Sequence, residues 1–122
     1  MEKKILIIDD DGDVLSMLEE VLVYSNFAVK GLQQANDIFK VIDNYKPDLI
    51  LMDYILNGIN GGELCHQVKT TSKTAHIPVV LISAYPKVLL SLGKYGSDAF
   101  IAKPFDINDL VSCIDDCLGM KA

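Results

Sequence analysis

Lys4-Ile5-Leu6-Ile7-Ile8-Asp9-Asp10-Asp11 is the stretch that decides the fold. An apolar run of this length, too short for a helix and rich in β-branched residues, reads as a strand buried on both faces, and such strands belong to parallel sheets covered by helices. The run stops abruptly in carboxylates. The same event recurs downstream, where Leu49-Ile50-Leu51-Met52 ends at Asp53, and Val79-Val80-Leu81-Ile82 ends at Ser83. A further run, Ala99-Phe100-Ile101, is followed by Lys103-Pro104. In an open parallel sheet, ligands bind outside the carboxyl ends of the strands, so residues remote in sequence that each follow a strand meet in one pocket. The predicted pocket holds Asp9, Asp10 and Asp53 with the ammonium of Lys103.

Strands are expected near Lys4 to Ile8, Ala28 to Leu32, Leu49 to Met52, Val79 to Ile82 and Ala99 to Ile101. Between them apolar residues recur at helical spacing: Val14, Met17, Leu18, Val21 and Leu22; Ile38, Val41 and Ile42; Leu64 and Val68; Leu110, Ile114 and Leu118. A shorter helix is expected around Val88 to Leu92, ending at Gly93 or Gly96. Alternation of this kind gives an α/β fold of five parallel strands and five helices. The Gly58 to Gly62 segment reads as a turn-rich loop, and Gly119 as a helix stop before a frayed end. A single domain over residues 1–122 is expected, either a whole small protein or one module.

Like charges about 4 Å apart repel by roughly 4 kcal/mol at an effective dielectric near 20, so three clustered carboxylates call for a counter-ion. All the donors are hard oxygens, which points to Mg²⁺, an ion that takes one or two carboxylates and leaves room for water and phosphate oxygens. Asp53, thrust out at the sheet edge, is suited to attack phosphorus and form an acyl phosphate. A Ser83 hydroxyl can hydrogen-bond a phosphoryl oxygen, and Lys103 can reach one as a point charge. Each feature alone has a plainer account. Acids ahead of a helix complement its dipole, a serine after a strand is a turn residue, and Asp53 can be read as a helix or turn cap near Gly58. Their combination argues for a site. The Lys103-Pro104 bond is open to either isomer on sequence grounds.

Composition narrows the classes further. Half the residues are hydrophobic and 23% are charged, as in a globular domain. The net charge is -6 and the 11 basic residues are all lysine, so no arginine is present for bidentate contacts to phosphate or guanine, and direct nucleic-acid binding is not expected. Cys65, Cys113 and Cys117 show neither a CxxC pair nor zinc-site spacing to a histidine. No run approaches the ~18 apolar residues of a membrane span, and a cytoplasmic location is expected.

Taken together, several segments resemble the receiver (CheY-like) domains of two-component response regulators: Ile7-Ile8-Asp9-Asp10-Asp11, Pro47-Asp48-Leu49-Ile50-Leu51-Met52-Asp53, Asn57-Gly58-Ile59-Asn60-Gly61, Ile77-Pro78-Val79-Val80-Leu81-Ile82-Ser83-Ala84, and Gly96 through Phe105. The resemblance implies a flavodoxin-like (βα)5 sandwich of strand order 2-1-3-4-5. It implies that Asp53 is the phosphoacceptor, that Asp9, Asp10, Asp53 and the backbone carbonyl of Ile55 hold Mg²⁺, and that Lys103 binds the phosphoryl group. Ser83 and Phe100 take the switch positions, and the phosphodonor is a histidine kinase or histidine phosphotransfer protein. Asn57 stands where the family usually has proline, Asn60 where it often has aspartate, and Phe100 lacks the hydroxyl of the tyrosine often found there. Twenty positions separate Ser83 from Lys103, slightly short for the family, with the deficit in the fourth helix. Bulky Ile55 and Tyr85 flank the site, which predicts slow self-hydrolysis. A monomer is the default, and the downstream partner is not legible.

Four rivals are weighed. Asp9-Asp10-Asp11-Gly12-Asp13 also looks like the nucleophile motif of haloacid-dehalogenase-type phosphatases, with Asp9 and Asp11 acting and Ser83, Lys103, Asp115 and Asp116 in support. That reading leaves Asp53 without a role. A calcium loop over Asp9, Asp11, Asp13 and Glu20 lacks the glycine its turn needs, since Val14 stands there. A flavin-binding protein of similar topology would need a phosphate loop where this chain is acidic. The fourth rival is a non-phosphorylated interaction module of the same fold.

Overall fold

The computed structural model describes residues 2–34, 36–56, 59–84 and 96–119, with the backbone alone at positions 55 and 59. Among the described residues the chain runs β1 (Lys4–Ile8), α1 (Gly12–Tyr24), β2 (Ala28–Leu32), α2 (Ile38–Tyr45), β3 (Leu49–Asp53), β4 (Ile55–Leu56), β5 (Ile59–Asn60), α3 (Gly61–Thr70), β6 (Val79–Ser83), β7 (Ala99–Ala102) and α4 (Ile107–Leu118). The main sheet has the order β2-β1-β3-β6-β7, and every pair in it is parallel. Counted within that sheet, this is the expected order 2-1-3-4-5. The expected helix around Val88 to Leu92, together with Gly93, Asn57, Gly58, Tyr85 and the C-terminal end at 120–122, lies outside the described residues.

Side-chain alternation along each strand divides the apolar residues between two layers. Leu6, Ile8, Ile50, Met52, Val79 and Leu81 face α2 and α3, meeting Ile38, Ile42, Cys65 and Val68. Ile5, Ile7, Leu49, Leu51, Val80 and Ile82 face α1 and α4, meeting Leu15, Leu18, Leu22, Leu110 and Ile114. Residues 5–8, 49–52 and 79–81 are all fully buried, which is why these strands read as unbroken apolar runs. At roughly 1.5–3 kcal/mol for each fully buried aliphatic side chain, both faces contribute to holding the sheet between its helices.

Two details differ from the sequence reading. Strands β3, β6 and β7 each run one residue further than expected, so Asp53 and Ser83 are themselves terminal strand residues. The segment expected as a loop after β3 carries a small antiparallel pairing, Ile55 with Asn60 and Leu56 with Ile59. Periodicity cannot reveal strands two residues long. At the other end of the chain Gly119 closes α4 at φ 68°, the left-handed conformation that glycine adopts without steric cost.

Candidate phosphoryl-acceptor site

Register brings the site together. Ile8 pairs with Met52, so Asp9 and Asp53, the next residue on each chain, emerge side by side. Asp53 pairs with Ile82 and Ser83 pairs with Ala102, so Ser83 and Lys103 each lie one step further out on the following strand. The backbone seals this stagger through Tyr54 N donating to Ile82 O at 2.8 Å and Lys103 N donating to Ser83 O at 2.8 Å. The Lys103-Pro104 bond is cis.

Lys103 Nζ lies 3.4 Å from Asp9 Oδ2 and 3.4 Å from Asp53 Oδ2. Burial pulls the lysine pKa down, but the charges of Asp53 and Asp9, with their hydrogen bonds, outweigh it and hold the ammonium above its ordinary value. Lys103 is therefore a fixed positive charge at neutral pH. Asp9 is fully buried, and its other oxygen, Oδ1, accepts from Asp11 N at 2.9 Å. One oxygen from each of Asp9, Asp10 and Asp53 falls within 4.8 Å of the others. Two Mg–O bonds of about 2.1 Å span at most about 4.2 Å, so small carboxylate rotations bring these oxygens around one hard cation, and the donor set fits it.

The three consecutive acids divide their labour. Asp11 is the N-cap of α1, its Oδ1 accepting from Asp13 N at 3.0 Å and Val14 N at 3.3 Å. A carboxylate committed to two backbone donors at a helix start is a cap, which removes Asp11 from the phosphatase role. Asp115 and Asp116 lie inside α4, away from the sheet edge. The turn at Gly58, the plainer account of Asp53, lies outside the described residues. The cap of α3 is Asn60, whose Oδ1 accepts from Gly62 N at 2.8 Å and Glu63 N at 3.3 Å. The departure Asn60 thus retains the capping oxygen and loses only a charge.

Ser83 is buried at the end of β6. Phe100, which pairs with Leu81, is partly buried against the layer that includes Met52 and Leu81. The backbone of Ile55 follows Asp53 by two residues in β4. Its side chain and Tyr85, the two groups tied to slow hydrolysis, lie outside what the structure describes.

Sequence reading assigned no role to Gly61. Its N–H donates to Tyr54 O at 2.6 Å, and a Cβ built on it would sit within 3.2 Å of Asp53 C and far inside contact distance of Asp53 O. The start of α3 therefore packs directly on the backbone that carries the candidate nucleophile. The available signal was the pair Gly61-Gly62 opening a helix, where glycine is a poor helix former. A cavity of about 670 Å³ beside Lys46, Asp48 and His76 contains none of these groups.

A doubly wound parallel sheet with carboxylates and one lysine gathered at the carboxyl ends of its strands defines a class of signalling modules. The model of the response regulator receiver domain matches residues 5–115. The chain is 31% identical over 112 residues to the phosphate regulon transcriptional regulatory protein PhoB of Pseudomonas aeruginosa, covering 90% of this chain and 49% of that protein. It is 34% identical over 116 residues to the response regulator ArlR of Staphylococcus aureus, covering 91% of this chain and 50% of that one. A crystal structure of a response regulator from Chloroflexus aurantiacus superposes with a TM-score of 0.89 at 27% identity, over 98% of this chain and 99% of the other. This chain belongs to the response regulator receiver family. It spans about half the length of the curated relatives it matches. Among the described residues no helix is long and apolar enough to cross a membrane.

Proposed function

We propose that this chain is one receiver domain over residues 1–122 that takes a phosphoryl group onto Asp53 from a phosphohistidine on a histidine kinase or histidine phosphotransfer protein. The observation that carries the reading is Lys103, held 3.4 Å from both the fully buried carboxylate of Asp9 and the strand-end carboxylate of Asp53, with Asp10 beside them. Asp53 is the nucleophile: one of its oxygens forms a bond to phosphorus as the phosphorus–nitrogen bond of the donor breaks, and the electron pair leaves with the imidazole. Lys103 offsets charge on the equatorial oxygens of a loose, in-line transition state, where positioning and electrostatics supply most of the acceleration. Asp9, Asp10, Asp53 and the Ile55 carbonyl would hold Mg²⁺, which when bound supplies charge neutralisation at the phosphoryl oxygens.

Phosphorylation adds close to two negative charges and new acceptor oxygens at Asp53. The Ser83 hydroxyl, at the end of the adjacent strand, donates to one of them, and Phe100 on β7 moves with it, so that a partner-binding surface on the β7 side reports the event. The domain modifies itself and dephosphorylates slowly rather than turning over a free substrate. It works in the cytoplasm as a monomer that binds neither nucleic acid nor membrane directly.

Intact mass after incubation with a small-molecule phosphodonor, with and without Mg²⁺, tests this on the native chain, Asp53→Asn and Asp9→Asn. One Mg²⁺-dependent phosphoryl adduct, lost in Asp53→Asn, is expected. An adduct that survives Asp53→Asn but needs Asp9 would favour the phosphatase reading. No adduct from a folded native chain would leave an interaction module that keeps only the fold.

A further inference from the structure

The cavity of about 670 Å³ between α2 and the turn before β6 falls within the size range of small-molecule sites. It lies at the amino ends of β3 and β6, since Pro47 and Asp48 precede one strand and His76 and Ile77 lead into the other. Strand β3 is five residues long, so roughly 15 Å separate the cavity from the acidic site, well beyond the ~8 Å over which physiological salt screens a charge. The charges beside the cavity therefore set its preference.

Its lining has an apolar part and a cationic part. Ile42 and Ile77 are buried, while Phe39 beside them stays 37% exposed, one of the few large hydrophobic side chains among the described residues to do so. Lys40, Lys46 and Lys73 bring three ammonium groups, none with an ion-pair partner among the described residues. Two carboxylates, Asp43 and Asp48, share the lining, and Asp48 Oδ2 already accepts from Lys4 N at 2.8 Å. The local balance is positive in a chain whose net charge is -6. Lys46 ends α2 at φ 55°, a left-handed conformation uncommon for a residue that carries a Cβ. The hydroxyls of Thr71 and Thr74 donate to Gln67 O at 2.7 Å and Val68 O at 2.6 Å, which leaves the ammonium groups as the main donors for an occupant.

We propose that this cavity binds a small amphipathic organic anion, with an aromatic-sized apolar body against Phe39, Ile42 and Ile77 and a carboxylate or phosphate group among Lys40, Lys46 and Lys73. Covering Phe39 removes apolar surface from water, and the same apolar wall strengthens attraction between the ammonium groups and an anion beside it. A neutral apolar occupant would desolvate the ammonium groups without pairing them. An inorganic anion would pair them and leave Phe39 exposed. Only a molecule that carries both parts satisfies both halves of the lining.

Naphthoate serves as the probe because it joins an aromatic body to a carboxylate and has no phosphoryl group to transfer to Asp53. Titration of the native chain without Mg²⁺, followed by amide chemical shifts, is expected to give saturable changes centred on residues 39–48 and 71–77. Naphthoate should bind at least about tenfold more tightly than naphthylmethanol, acetate or inorganic phosphate, each of which lacks one half of the interaction. Lys46→Met/Lys73→Met should abolish the preference for naphthoate over naphthylmethanol, and Phe39→Ala should weaken both aromatic compounds by about fivefold. Lys3→Met, which removes an exposed charge outside the cavity, should change nothing. Shift changes centred elsewhere, equal binding of naphthoate and naphthylmethanol, or no saturable change up to the solubility limit would overturn the assignment.

Discussion

Replacing Gly61 with alanine separates two ways in which a glycine can be required. Gly61 is the first residue of α3, and on helix propensity alone alanine there gains up to about 1 kcal/mol. Sterics oppose this. The new Cβ would lie 3.0 Å from Tyr54 O, 3.2 Å from Asp53 C and deep within the radius of Asp53 O. Ordinary contacts to a Cβ begin near 3.4 Å, and the obstructing atoms are backbone, which cannot rotate aside. Either the Asp53–Tyr54 peptide or the start of α3 must move by on the order of 1 Å. A displacement of that size at a reacting group costs about 10²-fold in rate. The assay is the rate of adduct formation from a small-molecule phosphodonor at saturating Mg²⁺, followed by intact mass, alongside urea unfolding of the same sample. Gly119→Ala is the control. Gly119 has a positive φ but nothing within 4 Å of an added Cβ, so alanine there costs about 1–2 kcal/mol of torsional strain and leaves the rate unchanged. A Gly61→Ala rate within threefold of native would refute the claim that this contact positions Asp53.

Lys103→Met should slow phosphorylation at least as severely and also alter alkaline stability. The folded pKa of Lys103 is raised despite burial, because Asp53 and Asp9 outweigh it, so its stabilising contribution is complete below 10.5 and fades as pH rises through the folded value. The variant's unfolding midpoint should accordingly fall less than the native one above that pH; equal slopes would contradict the ion-pair geometry. Mg²⁺ at ten times its dissociation constant should stabilise the native chain by about 1.4 kcal/mol, and Asp10→Asn should lose most of this in thermal melts; an unchanged shift would remove Asp10 from the ion's ligands. Burial pushes the Cys65 thiol up to about 12 from 9.0, overriding the smaller lowering by Lys69. Its contribution to stability is present below pH 9 and lost between 9 and about 12, so Cys65→Ala should flatten that part of the profile. At pH 8 the native Cys65 should resist alkylation, and modification as fast as in urea would show that the packing under α3 is looser than described.

Much of this was legible because parallel strands buried on both faces leave continuous apolar runs, and chemistry in such sheets collects where the runs end. Asp9, Asp53, Ser83 and Lys103 could each be placed at a strand end from local sequence, and the five main strands were found to within one residue. The small pairing of β4 with β5 had no such signal. Asp11 was less legible: its place ahead of a helix was open to a cap or to the phosphatase role, and only the turn into α1 decides which of three adjacent carboxylates points where. The structure made Asp11 a cap, buried Asp9 against Lys103 and grouped Asp10 with Asp53.

The sequence by itself determined the kind of fold and the inventory of its site, because burial on two faces and strand length are written in consecutive residues. Tertiary structure alone decided the stagger of β1, β3, β6 and β7 that aligns that inventory, the equal reach of Lys103 to two carboxylates, and the contact of Gly61 on the backbone of Asp53. These depend on hydrogen-bond register and backbone approach between segments up to 94 positions apart, and no local pattern encodes a distance of that kind.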